Sequence, residues 1–361
     1  MAAVLCLFGV LFARGANAQE ADSGLDVRAV VSGQLSGSTK ATEPPRSTSP
    51  FNAGYRSLLY PTVKIGEHWS VSAALETYSS HYFYEDFSDN ESGVEARTQQ
   101  ASVNYGRVSD RGSLLIRAGE LPTAFGDFPL RYDDNANALI DLPLQYGYYE
   151  RPVSTAAAPA VQIDITRHRW DGRFQLADSS PASSGYSYTH DGFRDWSGGI
   201  GYTVRQGLRI GLSAYGTPGH DDEESYDDSD GQADPSLYSA HAGGADVEWS
   251  RGHTELRSEW QMFLLRDQER ELYRDQAGYA ELKRVLHPRW YVAARAGFLT
   301  SEAPGGSQSY EGAVGFRPSR FQMVKAGYEL QHNESNMFRF ENTFTLQIVT
   351  SVHLLSLSRS H

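Results

Sequence analysis

The feature that most constrains this chain is an alternation of apolar and polar residues with a period of two. Near the C-terminus, Leu346 and Ile348 alternate with Thr345 and Gln347. Successive side chains of a β-strand point to opposite faces, so this pattern indicates strands. A helical period of 3.6 is hard to find anywhere in the chain. The pattern therefore predicts an all-β protein.

Sixteen segments show the alternation, and each is predicted to be one strand. The second and twelfth have the weakest pattern, and the run YAELKRVL in the twelfth switches parity, as at a β-bulge. The segments are centred near Val30, Val63, Ala73, Ser102, Leu115, Ile163, Phe174, Ile200, Ile210, Val247, Leu256, Tyr279, Ala294, Val314, Ala326 and Leu346.

The connections between these segments alternate between long and short. Seven are only a few residues long, with the sequences GEH, SDRG, RHRWDG, RQG, SRG, LHPR and RPSR. Eight are long and follow the odd-numbered segments. Alternating connections of this kind are expected when short turns lie at one end of a barrel and long loops at the other.

The polar parity decides which face of each strand points outward. In a soluble sandwich or barrel the apolar face packs into the core. Here the other face carries Arg, Glu, Gln and Gly beside Ser and Thr, which favours the inverse arrangement of a barrel in lipid. Such a barrel must close, because an open edge leaves backbone groups unsatisfied in hydrocarbon. The prediction is a single closed antiparallel transmembrane β-barrel of about 16 strands.

Aromatic residues cluster where the predicted strands begin or end. Transmembrane barrels carry aromatic girdles at both membrane interfaces. The alternative is that aromatics simply favour strands. The predicted girdle residues are Trp69, Tyr78, Tyr105, Trp170, Trp196, Trp249, Trp290, Tyr291, Phe316 and Phe321.

The N-terminal residues 1–18 are predicted to be a secretory signal peptide. An apolar run over residues 2–12 is too short to span a bilayer, and it is followed by the small-residue pattern Ala16-Asn17-Ala18. The alternative is a buried N-terminal helix. Cys6 is the single cysteine of the chain. Residues 19–361 would then form the barrel without disulfides, thiolate metal sites or a cysteine nucleophile.

Charge and motifs exclude several other functions. The formal net charge is -13, and no basic stripe suggests nucleic-acid binding. The motifs G-x-S-x-G and H-E-x-x-H and a glycine-rich phosphate loop are absent from the sequence. We therefore expect neither an enzyme nor a bound cofactor.

The run HDDEESYDDSDGQAD over residues 220–234 carries eight acids. The calcium-binding EF-hand pattern fails, because Tyr226 stands where the first Asp would be needed. A solvated loop is the simpler interpretation. We predict no metal site, and the weak candidates for one are Asp221, Asp222, Asp228 and Asp230.

The number of strands, the signal peptide and the alternating connections resemble those of Gram-negative outer-membrane porins. The segment LLIRAGELPTAFGDF, residues 114–128, is similar to the fifth strand and following loop of general and phosphate-selective porins. This resemblance implies short periplasmic turns, long external loops and a third external loop folded into the lumen. It also implies a homotrimer in the outer membrane.

The long connection over residues 119–158 is the third external loop on this count. The resemblance therefore implies that it is the constriction loop of a pore. Its apolar residues are expected to pack on the wall and its acids to face the channel. Those apolar residues are Leu130, Leu139, Ile140, Leu142 and Leu144.

Charges at the narrowest point of a channel set its selectivity. We hypothesise that wall arginines face loop carboxylates and that the pore mildly prefers cations. The alternative is that these groups pair with each other as structural salt bridges. The predicted constriction residues are Arg117, Glu120, Asp127, Arg131, Asp133, Asp134, Arg173 and Arg209.

The leading interpretation is a passive diffusion channel for small hydrophilic solutes, surrounded by outer-membrane lipid and lipopolysaccharide. Three alternatives stay open. One is a plugged barrel, structural or associated with export, without open conductance. The second is a secreted soluble β-protein that binds carbohydrate, and the third is an outer-membrane hydrolase.

Overall fold

The structure is a computed structural model of the chain. It describes residues 23–39, 51–79, 82, 93–128, 133–146, 157–178, 195–217, 239–266, 271–301, 306–333 and 340–359. The predicted signal peptide and the acidic run 220–234 lie outside the described residues.

Sixteen β-strands make up most of the described chain. Each of the sixteen sequence segments falls within one strand, in order. The first eight strands are β1 (Ser23–Ser38), β2 (Phe51–Ile65), β3 (Trp69–Ser79), β4 (Val94–Ser109), β5 (Gly112–Leu121), β6 (Ala158–Arg167), β7 (Trp170–Ala177) and β8 (Asp195–Arg205). The others are β9 (Leu208–Thr217), β10 (Ser239–Arg251), β11 (Thr254–Arg266), β12 (Leu272–His287), β13 (Trp290–Thr300), β14 (Ser307–Phe316), β15 (Gln322–Asn333) and β16 (Phe340–Arg359).

The strands form one closed antiparallel barrel in which every strand pairs with its neighbours in sequence. β1 closes the barrel by pairing with both β2 and β16, for example through Leu35 opposite Ala53 and opposite Leu346. Closure gives every strand two partners, so the barrel leaves no edge unpaired. The predicted strand number and closure are confirmed.

The apolar parity lies on the outside of the barrel. Ile210 and Ile348 are 45% and 54% exposed, whereas Gln347 between two exposed neighbours is fully buried inside. An apolar exterior around a polar interior is stable in lipid and not in water. The predicted inversion of the two faces is confirmed.

Aromatic residues mark the barrel end that carries the short turns. Trp69 packs against Tyr105 with ring centroids 5.2 Å apart, and Trp170 packs against Tyr202 at 4.6 Å. The girdle prediction is wrong for Tyr78 and Tyr291, because these side chains are only 5% and 3% exposed and point into the barrel. There Tyr78 donates a hydrogen bond to a carboxylate and Tyr291 to a loop carbonyl.

The seven short connections are tight turns at one end of the barrel: 66–68, 110–111, 168–169, 206–207, 252–253, 288–289 and 317–321. They match the seven short segments of the sequence. The described part of the chain contains no helix with the length and apolar character needed to cross a bilayer.

Candidate functional site: the loop across the barrel lumen

The connection between β5 and β6 covers residues 122–157, and the structure describes 122–128, 133–146 and 157 of it. β5 continues to Leu121, so the first residues of the predicted loop 119–158 are still strand. We call residues 122–157 the lumen loop. Its described part contains the 3₁₀ turn Leu144–Tyr146.

The first part of the lumen loop is held by strands β7 and β8. The backbone N–H of Ala124 donates to Oε1 of Gln175 at 3.0 Å and to Oγ of Ser197 at 3.1 Å. The amide of Gln175 donates in turn to the carbonyl of Pro122 at 2.9 Å. These bonds satisfy buried backbone groups of a segment that has no strand partner.

A buried carboxylate on β11 gathers two distant parts of the lumen loop. Oε1 of Glu259 accepts from the backbone N–H of Asp127 at 2.9 Å and from the hydroxyl of Tyr146 at 2.6 Å. Gln261 donates to the same oxygen at 2.8 Å. Gly126 has φ of 74°, and a side chain there would collide with the Tyr146 hydroxyl. Glycine is therefore required for this approach.

Aromatic side chains of the lumen loop pack into an apolar patch on the inner wall. Phe125 and Phe128 are fully buried. Phe125 contacts the ring of Phe263 on β11, with centroids 6.2 Å apart, and Phe128 contacts Tyr279 on β12 at 6.3 Å. Leu144 and Tyr146 belong to the same cluster. Burial of this apolar surface fixes the first half of the loop against β9–β13.

Two adjacent loop acids bind the opposite wall. Asp133 accepts from Arg28 on β1 at 2.6 Å. Asp134 accepts from Ser32 at 2.6 Å, from Arg56 on β2 at 3.1 Å and from Tyr82 at 2.8 Å. Burial raises the pKa of the Tyr82 hydroxyl well above its usual range, so this group stays protonated and donates.

A buried lysine on β15 holds the backbone of the same segment. Nζ of Lys325 donates to the carbonyls of Asp134 at 2.7 Å and Leu139 at 2.9 Å, and its side chain is fully buried. Tyr291 donates to the carbonyl of Ala138 at 3.0 Å. Leu139 is fully buried in a second apolar cluster with wall residues of β1, β2 and β13–β16.

A third contact lies on β13 and β14. Oε1 of Glu311 accepts from the backbone N–H groups of Ile140 at 2.9 Å and Asp141 at 3.1 Å. Arg295 bridges to Oε2 of Glu311 at 2.6 Å and donates to the carbonyl of Asp141 at 2.8 Å. The lumen loop therefore contacts inward residues of strands on several sides of the barrel, and it crosses the lumen.

The predicted wall arginines have different partners. Arg117 binds Asp164 on the next strand at 2.9 Å, and Arg209 binds Asp171 at 2.7 Å and Asp246 at 2.5 Å. These are ion pairs within the wall, which is the alternative that the sequence left open. Arg173 reaches the loop, where it donates to the carbonyl of Gly126.

The remaining predicted residues divide among three places. Asp127, Asp133 and Asp134 lie in the lumen loop, as described above. Glu120 has the outward parity of Ile116 on β5, opposite to Arg117, so the structure does not bring it into this group. Arg131 and the weak metal candidates Asp221, Asp222, Asp228 and Asp230 lie outside the described residues.

Sequence reasoning missed the two arginines that bind the loop acids, Arg28 and Arg56. Both lie on strands where the inner parity also carries apolar residues: Leu58 follows Arg56 on the same face and packs in the cluster of Leu139. Because the inner face of β2 carries both apolar and charged residues, its sequence pattern did not single out Arg56. Mixed parity was itself the available signal, because a wall that holds an apolar loop needs apolar inward residues.

A pocket lies beside residues 134–142 of the lumen loop. It is lined by Arg56 and Tyr82, by the carboxylates of Asp134, Asp141, Glu311 and Glu329, and by hydroxyls of β16. Among the described residues, no group of three or more His, Cys, Asp or Glu side chains is arranged to hold a metal ion.

A second group of charges lines the lumen near the short turns, and we call it the short-turn vestibule. Its members alternate in sign: Arg257 lies 4.0 Å from Glu248 and 3.9 Å from Glu255, and Lys283 lies 3.5 Å from Glu255. The side chains of these four residues are 20% to 37% exposed, so water reaches them. Asp171, Arg209 and Asp246 complete the vestibule.

Solved structures with a similar backbone are outer-membrane proteins. An anion-selective porin from Comamonas acidovorans aligns with a TM-score of 0.64 at 10% identity, covering 91% of this chain and 100% of that chain. The chain has the fold of the Gram-negative outer-membrane porins. Such a closed barrel with an apolar exterior fits the outer membrane of a Gram-negative bacterium.

Two further porin-fold structures give the same result. The outer membrane channel DcaP of Acinetobacter baumannii has a TM-score of 0.62 at 10% identity, covering 91% of this chain and 97% of that one. OmpF of Salmonella typhi, in complex with daunomycin, has a TM-score of 0.59 at 9% identity with the same coverage. No protein-family model and no curated protein sequence matches the chain.

Proposed function

We propose that this protein is a passive outer-membrane channel for small hydrophilic solutes, with the lumen loop as its constriction. The observation that carries the proposal is the loop itself, which crosses a polar lumen and is bonded to inward side chains on both sides. Sixteen-stranded barrels are wide enough to hold an aqueous channel. A loop anchored across that width narrows the channel without blocking it.

The inner surface favours transport of hydrated polar solutes. Partly exposed charges of the short-turn vestibule exchange hydrogen bonds with water, so a solute crosses without losing all of its hydration. Catalysis is no part of the proposal. The trimeric assembly implied by the resemblance also remains a prediction.

We further propose a mild preference for cations. The described lumen loop carries Asp127, Asp133, Asp134 and Asp141 and no basic residue. Asp133 and Asp134 pair with Arg28 and Arg56, whereas Asp127 and Asp141 lie beside the carboxylates of Glu259 and Glu311. The vestibule adds four carboxylates to three basic groups. An excess of negative charge along the path lowers the energy of a cation relative to an anion.

A second candidate is a plugged barrel without conductance. It is favoured by the deep burial of inward side chains: Arg56 is 2% exposed, and Lys325, Gln261 and Gln347 are fully buried. The lumen loop would then be a plug.

Planar-bilayer recordings distinguish these functions. We expect purified protein to give discrete conductance steps and, in a tenfold salt gradient, a reversal potential of the cation-preferring sign. Membranes that stay silent although the protein is folded and inserted would support the plugged barrel. Steps with a reversal potential of the opposite sign would keep the channel and refute the cation preference.

A double variant tests the selectivity charges. Glu248→Gln with Glu255→Gln removes two vestibule acids while Arg257 and Lys283 stay. We expect the reversal potential to move toward anion preference. Glu67→Gln is the matched control, because the Glu67 side chain is 80% exposed in a short turn outside the lumen. A control that shifts as much as the double variant would contradict the role of the vestibule.

A further inference from the structure

The barrel end with the short turns is strongly basic although the chain as a whole is acidic. Within four residues of the seven turns there are ten exposed arginines but only two exposed acids, Glu67 and Asp110. The whole chain has a formal net charge of -13. The excess of positive charge at this rim is therefore a local property that overall composition does not explain.

Four of these arginines belong to the outer, lipid-facing parity: Arg107, Arg167, Arg251 and Arg284. Each lies near the end of an even-numbered strand, just beyond its apolar band, and each is exposed. The apolar residues that precede them on the same face are Val103 and Tyr105, Ile163 and Ile165, Val247 and Trp249, and Ala280 and Leu282. Their side chains extend outward from the wall and not into the lumen.

Aromatic rings fix the depth of these arginines in the membrane. Arg107 follows Tyr105, which packs against Trp69, and Arg167 lies opposite Trp170 in the ladder between β6 and β7. Trp and Tyr side chains collect at the level of the lipid headgroups. Long basic side chains beside them extend into the same layer.

The guanidinium groups of the four are available for an anion. Within the described part of the chain, none of them forms an ion pair. Arg284 uses one of its five N–H groups in a hydrogen bond, from Nη1 to the Thr254 hydroxyl at 2.9 Å. A guanidinium matches a phosphate with two parallel hydrogen bonds.

We propose that this rim binds the headgroups of anionic phospholipids in the leaflet that faces the short turns, through Arg107, Arg167, Arg251 and Arg284. The outward direction of the four arginines and the neighbouring band of aromatic residues favour a lipid as the ligand over a soluble acidic protein. The arginines lie around the barrel wall and not on its end face. The inference rests on the closed barrel in a bilayer and is independent of whether the lumen conducts.

Tryptophan fluorescence can measure this binding directly. Four of the six tryptophans, Trp69, Trp170, Trp249 and Trp290, lie at the short-turn end. In mixed vesicles of phosphatidylcholine and phosphatidylglycerol, brominated lipid quenches those that it contacts. We expect phosphatidylglycerol to associate about fivefold more strongly than phosphatidylcholine, the factor that one basic side chain contributes at an anionic surface. High salt, at about 1 M, should abolish the difference.

A quadruple variant and a matched control test the assignment. The quadruple variant should bind phosphatidylglycerol and phosphatidylcholine equally well; it combines Arg107→Gln, Arg167→Gln, Arg251→Gln and Arg284→Gln. The control replaces Arg111, Arg169, Arg289 and Arg317 with Gln, which removes the same charge from the turns and should keep most of the preference. Heat-modifiable gel migration shows that each variant is folded.

Two results overturn the proposal. One is equal association of the two lipids with the unmodified protein in low salt. The other is a control variant that loses the preference as completely as the quadruple variant.

Discussion

Replacing Lys325 with Met should release residues 133–141 of the lumen loop from the wall. Nζ of Lys325 donates to two buried carbonyls, those of Asp134 at 2.7 Å and Leu139 at 2.9 Å. Methionine fills a similar volume but donates nothing, so both acceptors lose a partner in a place that water does not reach.

The magnitude follows from these two acceptors. A buried carbonyl without a partner costs about 1–3 kcal/mol, which gives about 2–6 kcal/mol for the pair. Relief from burying an ammonium group offsets part of this cost. We expect the free energy that holds the segment to fall by about 2–4 kcal/mol, equivalent to a 30- to 1,000-fold larger open fraction.

A cysteine probe can measure that fraction. Cys6 is the single native cysteine and lies in the predicted signal peptide, so Leu139→Cys would be the reporter in the exported protein. Leu139 is fully buried, and a charged thiol reagent reaches position 139 only when the loop leaves the wall. Adding Lys325→Met should raise the modification rate of this reporter by the factor given above.

The control is Lys283→Met, because the Lys283 side chain is 25% exposed and pairs with Glu255 instead of the loop. We expect it to leave the modification rate within about twofold. A Lys325→Met protein that is folded but modified no faster than the parent would refute the argument that this lysine anchors the loop.

Two further predictions concern other anchors of the loop. Gly126→Val should weaken the binding of the first half of the loop to the wall by about 1–3 kcal/mol, because the valine side chain collides with Tyr146. Single-channel recordings should then show larger or noisier conductance steps, and unchanged steps would contradict the contact. Below pH 10 the Tyr82 hydroxyl is protonated, and its hydrogen bond to Asp134 stabilises the docked loop in full. This stabilisation is lost as the pH rises through the raised pKa of Tyr82. Alkaline solution should therefore increase loop opening, and Tyr82→Phe should weaken that dependence when conductance is recorded across the alkaline range.

The sequence predicted the barrel well because its signal is local. A strand in lipid must show one face to hydrocarbon and one to the lumen, and each segment of about ten residues records that requirement by itself. The parity around Ile210 and Ile348 needed no knowledge of distant residues. Tyr78 and Tyr291 were assigned wrongly because an aromatic near a strand end has the same composition whether it faces lipid or loop.

The two strands with the weakest alternation, β2 and β12, lie where the lumen loop docks. β2 and β12 have apolar residues on the inner parity, such as Leu58 and Tyr279, and both contact the lumen loop in the structure. Mixed parity at these strands was a sign of where the loop docks.

The sequence alone determined the strands, the faces and the alternation of turns, since all three follow from spacing along the chain. The tertiary structure alone decided the partners of the lumen loop. Ser32 and Asp134 are 102 residues apart, and Lys325 and Asp134 are 191 apart. An arginine on the inner parity has several carboxylates within reach, and barrel closure and the path of the loop decide which of them it binds. Arg117 therefore pairs with Asp164 in the wall, whereas Arg56 binds Glu76 in the wall and also Asp134 of the loop.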